Sequence, residues 1–282
     1  MCVIFFYANS QPNSDGYKLI LASNRDEFFA RETQTAAKWS NSDHVYGGID
    51  LEPGREGGTW LAVSNNKGIF KVGALLNLTG EPKPRNAVGR GMIVADYVRQ
   101  SDDQHNIFNY NQHLLTECTK YSAFNFVSIE IGDASKPAQI NLLSNVPPML
   151  SPFEQEECCG FGNSLSACPF EKVRHGQEHF KQIVSKYGHS DVDTLSSELL
   201  RLLKNKRKFW PDAELKRRAP SWGEGLSALN VHIAEHSYGS RTHSIILVDA
   251  HDKLHFIEET MVGLDPNGEW RKTHIENQFK SI

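Results

Sequence analysis

The chain of 282 residues contains no apolar run approaching the roughly 20 residues that a membrane-spanning helix needs. No C-x-x-C pair occurs, and the five cysteines, an odd number with Cys158 and Cys159 adjacent, make a poor disulfide framework. A reducing compartment is therefore expected. Zinc-ligand spacings are missing as well, so no metal site is expected. Charge of neither sign dominates: 30 basic against 34 acidic residues leave a net −4, which gives no general attraction to nucleic acid. The first six residues are apolar and of strand type, without a charged leader or signal-peptide core, so no targeting segment is expected. Repeats, low-complexity tracts and domain-dividing linkers are missing too. One soluble, intracellular domain over residues 1–282 is the expectation.

With 39% hydrophobic residues, the chain has material for a full core. Val3 to Ala8 and Lys18 to Ala22 read as strands joined by a turn-rich loop, and their apolar continuity predicts burial on both faces. The second strand delivers Asn24-Arg25-Asp26-Glu27 at its end, where the composition suggests that the backbone turns. Residues 28–58 read as irregular. Trp60 to Ser64 and Ile69 to Leu76 form a hairpin across Asn65-Asn66-Lys67-Gly68, a sequence that supplies positive φ. A short helix follows Gly89-Arg90-Gly91 through Val98, and Ile107, Tyr110, Leu114, Leu115 and Cys118 share one helical face.

Phe124 to Ile131 and Gln139 to Leu143 form another hairpin. Val173, Phe180, Ile183, Val184 and Tyr187 recur at helical spacing, with Cys168 fitting the N-cap and Pro169 the first helical position. Leu195, Leu199, Leu202 and Leu203 mark a second helix, capped by Asp191 or Asp193. Leu229 to Ile233, His243 to Val248 and Leu254 to Ile257 close the chain as strands. Two antiparallel sheets stacked between helical layers satisfy this order, an α+β fold of αββα type.

Cys2 carries the first candidate chemistry. A methionine aminopeptidase that removed Met1 would leave a thiol and an α-amine on one residue, nucleophile and base together. An Arg near it would favour thiolate, and an Asp would orient the amine, which draws in Arg25 and Asp26. His175 and His179 share a helix face, whereas His232 and His236 lie in a β-rich stretch, and none of them stands out as a ligand. The basic run Lys204, Lys206, Arg207, Lys208, Lys216, Arg217 and Arg218 reads as a solvated loop that could touch an anionic membrane or a ligand phosphate.

Met1-Cys2-Val3-Ile4-Phe5-Phe6, then Leu19 through Phe28 with Asn24-Arg25-Asp26-Glu27, then Glu56 through Ser64, resemble the transport and Golgi organisation 2 family, also called the NRDE-domain family. Gly89-Arg90-Gly91, Phe124-Asn125 and Gly239-Ser240-Arg241-Thr242 before Ile245 to Asp249 continue the resemblance, which spans nearly the whole chain. That family is similar in turn to the N-terminal-nucleophile hydrolases, nearest the bile-salt and penicillin amidases. The resemblance implies a four-layer αββα sandwich with Cys2 as nucleophile and Arg25 and Asp26 beside the terminal amine. The amidases separate that Arg and Asp by two residues; here they are adjacent. It also implies Asn77 and Asn163 as oxyanion donors and Arg241 as the second arginine. The implied function is handling and trafficking of a hydrophobic anionic metabolite, with heme the first choice of cargo, acyl-CoA-type lipid the second, and a role in Golgi organisation. No cofactor is required. The alternative is a cysteine hydrolase acting on a linear C–N amide bond. A cytoplasmic location with mitochondrial or Golgi association is implied.

Overall fold

The computed structural model describes residues 1–100, 106–132 and 135–278. Within them, strands β1 (Val3–Ala8) and β2 (Tyr17–Phe28) pair antiparallel with Val3 opposite Asn24 and Ala8 opposite Leu19. Their unbroken apolar run is explained by burial on both faces: Ile4, Phe6 and Ala8 face a second sheet, while Val3 and Phe5 face helices. β12 (Tyr238–Asp249) flanks β2, followed by β13 (Lys253–Met261) and β14 (Trp270–Gln278). β10 (Cys159–Phe161) closes the other edge beside β1, and the two-residue β11 (His232–Ile233) adds to β12.

The second sheet is a meander. β3 (Thr33–Lys38), β4 (Val45–Asp50), β5 (Leu61–Asn66), β6 (Ile69–Asn77), β7 (Phe124–Ile131), β8 (Gln139–Asn145) and β9 (Pro148–Phe153) lie side by side in chain order. The sheets share a core of Ile4, Phe6, Leu21, Val63, Val72, Ile129, Ile246 and Phe256. Helices α1 (Gly91–Arg99) and α2 (Ile107–Glu117) cover the outer face of the second sheet. Helices α3 (Glu171–Tyr187) and α4 (Val192–Leu203) cover the outer face of the first, with the short α5 (Ala213–Arg218) beside them. Helix, sheet, sheet, helix: the expected αββα sandwich is the fold.

Several expectations need correction. Residues 28–58, read as irregular, hold β3 and β4, and β9, β10 and β14 went unread. β3, β9, β10 and β14 are edge strands, which have no need of continuous apolar runs; β9 even carries Pro148 and Pro152. The expected strand at 229–233 shrinks to His232–Ile233. Helix α3 begins after Phe170, not at Cys168-Pro169. Asp191 does cap α4, accepting from the Thr194 amide at 2.9 Å. The backbone does not turn at Asn24; β2 runs on through Phe28.

Candidate functional site

Because β2 stays extended, its side chains keep alternating. Asn24 points into the helical side, where its amide donates to the Leu203 and Leu229 carbonyls at 2.8 and 2.9 Å and its oxygen accepts from His243 Nδ1 at 2.7 Å. This Asn ties sheet to helix. Asp26 lies on the same side, fully buried, with Oδ1 accepting from Ser240 Oγ at 2.5 Å. Its Oδ2 stands 3.0 Å from the Met1 α-amine and 4.0 Å from Lys172 Nζ.

Met1 is itself held closely. Its amine donates to the Tyr238 hydroxyl at 2.6 Å, its carbonyl accepts from Lys172 Nζ at 3.1 Å, and its sulfur accepts from Thr79 Oγ1 at 2.9 Å. Burial pulls the α-amine below its ordinary pKa, outweighing the pull of Asp26 in the other direction. Lys172 is lowered for the same reason.

Cys2 and Arg25 project the other way, between the sheets. The Cys2 sulfur lies 3.9 Å from the Asp26 carbonyl. Burial pushes its thiol up; the adjacent amine pulls it down, and Arg25 does so less. Arg25 thus pulls the Cys2 thiol toward thiolate, but burial outweighs it while Met1 is attached. The Arg25 guanidinium stacks on Trp60 at 4.3 Å, approaches Glu27 at 4.0 Å, and keeps a buried Nη1 without a hydrogen-bond partner.

Asn77 ends β6, is exposed, and lines the same cleft as Cys2. Asn163 does not offer its amide to that cleft: Nδ2 donates to the Asn77 carbonyl at 2.5 Å, so it fixes the end of β6 instead. Arg241 is also displaced. It falls where the β2–β12 register slips between Ser240 and Thr242, and its guanidinium binds the Phe28 and Arg31 carbonyls outside the cleft. Of the six residues expected together, Cys2, Arg25, Asp26 and Asn77 line one cleft; Asn163 braces it and Arg241 clamps the segment after β2.

The cleft measures about 490 Å³ and is walled by Arg25, Arg31, Arg55, Lys83 and Arg90, by the acidic Asp26, Glu27, Asp50 and Glu56, and by Trp60, Leu75 and Met92. Arg31 is consumed by Asp50 and Glu27, at 2.6 and 3.2 Å. Arg55, Lys83 and Arg90 have no carboxylate partner among the described residues. Arg90 donates to the Ala123 carbonyl at 2.7 Å, and burial with Arg55 and Arg31 nearby lowers its pKa to about 10. Arg55 and Arg90 meet on one wall because Gly58 and Gly91 cross back to back. The Thr59 amide donates to the Gly91 carbonyl at 3.0 Å, and a Cβ on Gly58 would stand 2.9 Å from Gly91 Cα.

Sequence reasoning missed Lys172, Tyr238, Arg55 and Lys83. Lys172 was findable: it lies four residues before Gly176 and eight before Phe180, on the buried stripe of α3. The basic run offers less free charge than its composition suggests, since Lys204, Lys208, Arg217 and Arg218 pair with Glu259, Glu224, Glu214 and Glu81.

A four-layer αββα protein with Cys2 just ahead of its first strand, Asp26 against the chain's α-amine, and a cleft lined by charges of both signs alongside is the class that fold and site define. The family model for Transport and Golgi organisation 2 matches residues 1–263, and the chain belongs to that family. It is 71% identical over 281 residues to Transport and Golgi organization protein 2 of Drosophila melanogaster, covering 100% of this chain and 99% of that one. The Bos taurus homolog is 32% identical over 288 residues, with both chains covered in full. A solved structure, Anbu from Hyphomicrobium sp. strain MC1, aligns over 88% of this chain and 82% of its own at 10% identity and a TM-score of 0.37, too slight a likeness to argue from.

Proposed function

We propose that the cleft beside Cys2 binds an anionic metabolite with an apolar body and hands it on within the cell. The observation that carries this reading is the set Arg55, Lys83 and Arg90, three cations without carboxylate partners among the described residues, facing a cleft with Trp60, Leu75 and Met92 in its walls. The guanidinium groups of Arg55 and Arg90 favour bidentate capture of phosphate or carboxylate, and Lys83 adds a point charge. The volume lies within the range of small-molecule sites, roughly 300–1,000 Å³. Heme would find no histidine in this lining and would depend on Cys2 or Met92 for its iron. A phosphate-bearing acyl thioester of the acyl-CoA type therefore ranks ahead of heme as cargo, reversing the order the sequence resemblance implied. A relation to Golgi organisation is suggested by the family's name and belongs to this proposal.

The test is titration of the purified chain with an acyl-CoA and with heme, alongside an Arg55→Gln, Arg90→Gln double variant and Cys2→Ser. Acyl-CoA binding that weakens with salt, falls at least about tenfold in the double variant, and survives in Cys2→Ser is the expected result. No binding of either compound overturns the reading.

A second reading, hydrolysis by Cys2, is favoured by the Asp26 carboxylate 3.0 Å from the α-amine. With Met1 attached, that amine belongs to Met1, and the Cys2 nitrogen is a peptide N–H. The reaction needs Met1 gone, so intact mass together with product release that vanishes in Cys2→Ser is its test.

A further inference from the structure

The β13–β14 hairpin carries a cluster that no spacing in the sequence announces. His255 sits directly opposite Glu276 in the register, and His274 lies opposite Ile257, so all three side chains share one face of the sheet. His255 Nδ1 is 3.2 Å from His274 Nε2 and 3.3 Å from Glu276 Oε1, and the third side, His274 Nε2 to Glu276 Oε1, is 3.8 Å. The same strands turn Leu254 and Phe256 into the inter-sheet core, which places the cluster on the opposite, helix-facing side of the sheet. None of the three lines the Cys2 cleft.

A tetrahedral zinc ion with bonds of about 2.0–2.1 Å holds its donor atoms about 3.3–3.4 Å apart. The observed triangle is close to one face of that tetrahedron. Lys253 Nζ takes the other carboxylate oxygen, Oε2, at 2.8 Å, and so holds Oε1 toward the two imidazoles. A ligand carboxylate oriented by its own partner is how such sites are usually supported. His255 is buried, whereas His274 and Glu276 are exposed, which leaves a fourth position open to water.

We propose that His255, His274 and Glu276 form a site for a divalent cation of the zinc class, separate from the cleft, that staples edge strand β14 to β13. Two imidazoles and one carboxylate suit this ion better than calcium or magnesium, which prefer all-oxygen shells. β14 follows the residues matched by the family model, so the staple would secure a strand that the family match does not include.

The experiment uses the full chain with its exposed thiol Cys168 alkylated and metal removed by chelator and dialysis, titrated with Zn²⁺ against a chromophoric competitor. His274→Ala and Glu276→Gln are made in parallel; both positions are exposed, and circular dichroism verifies their folding. The wild type is expected to take up one equivalent that His274→Ala loses or binds at least about tenfold more weakly, with Glu276→Gln intermediate. Zinc is expected to raise the Tm of the wild type and not that of His274→Ala. No uptake by wild type, or equal uptake and equal Tm response in wild type and His274→Ala, overturns the proposal.

Discussion

Lys172 Nζ lies 4.0 Å from Asp26 Oδ2, with neither side chain exposed to solvent. The Met1 α-amine reaches the same oxygen at 3.0 Å. One buried carboxylate thus answers two buried cations. Of the other groups that act on Lys172, Cys2 and Asp212 follow Asp26 and weigh less than it does.

Asp26→Asn leaves both cations without their anion and is expected to cost about 3–5 kcal/mol of stability. Lys172→Met removes a buried charge while keeping its apolar stem, and Asp26 retains the α-amine. It is expected to cost clearly less, about 1–2 kcal/mol for the hydrogen bonds to the Met1 and Ala228 carbonyls. Urea unfolding of the two variants checks the order.

His243 is expected to make the fold acid-sensitive. Burial lowers its pKa from 6.5 to about 4, with Lys204 helping. Between those values the unfolded chain binds a proton that the folded chain refuses, so stability rises with pH across that window and is lost as pH falls through it. The loss is about 3 kcal/mol by pH 4. His243→Gln should show a shallower slope than wild type when unfolding free energies at pH 7 and pH 4.5 are compared.

Alkylation should follow exposure. Cys168 is exposed, whereas burial raises Cys2, lifts Cys158 to about 11 and lifts Cys159 to about 12. At neutral pH, Cys168 is expected to react at least about tenfold faster than Cys2 while Met1 remains in place. Peptide mapping after a short pulse of iodoacetamide reads the order, and Cys2 labelling first would mean that the nearby amine and Arg25 outweigh burial at the sulfur.

Arg90→Gln alone should weaken an anionic ligand of the cleft by about tenfold, equivalent to roughly 1.4 kcal/mol, and flatten its salt dependence. Fluorescence or calorimetric titration at two ionic strengths checks it. Part of any fall in Tm would come from the lost bond to the Ala123 carbonyl, so the salt slope is the more telling readout.

The layers were legible because β1, β2, β12 and β13 are buried on both faces and therefore spell themselves in apolar runs. The edges β3, β9, β10 and β14 were not, since their pairing depends on a neighbour that local sequence does not reveal. At the site, the composition of Asn24-Arg25-Asp26-Glu27 suggests a turn, whereas the strand runs on and its alternation separates Arg25 from Asn24 and Asp26. What it could not supply was long-range: that Asn163 would spend its amide on Asn77, or that a slip beside Ser240 would carry Arg241 out of the cleft. Lys172 hid in plain view, a lysine on the apolar stripe of a helix.

The contact of Gly58 with Gly91 makes the cleft a caliper whose gap is set by two missing side chains. A methyl on either backbone would act as a shim, thickening the joint and spreading the arms that end in Arg55 and Arg90. Coulomb attraction to a shared anion falls with every added ångström, so a purely steric change at an uncharged residue would be read out as an electrostatic one.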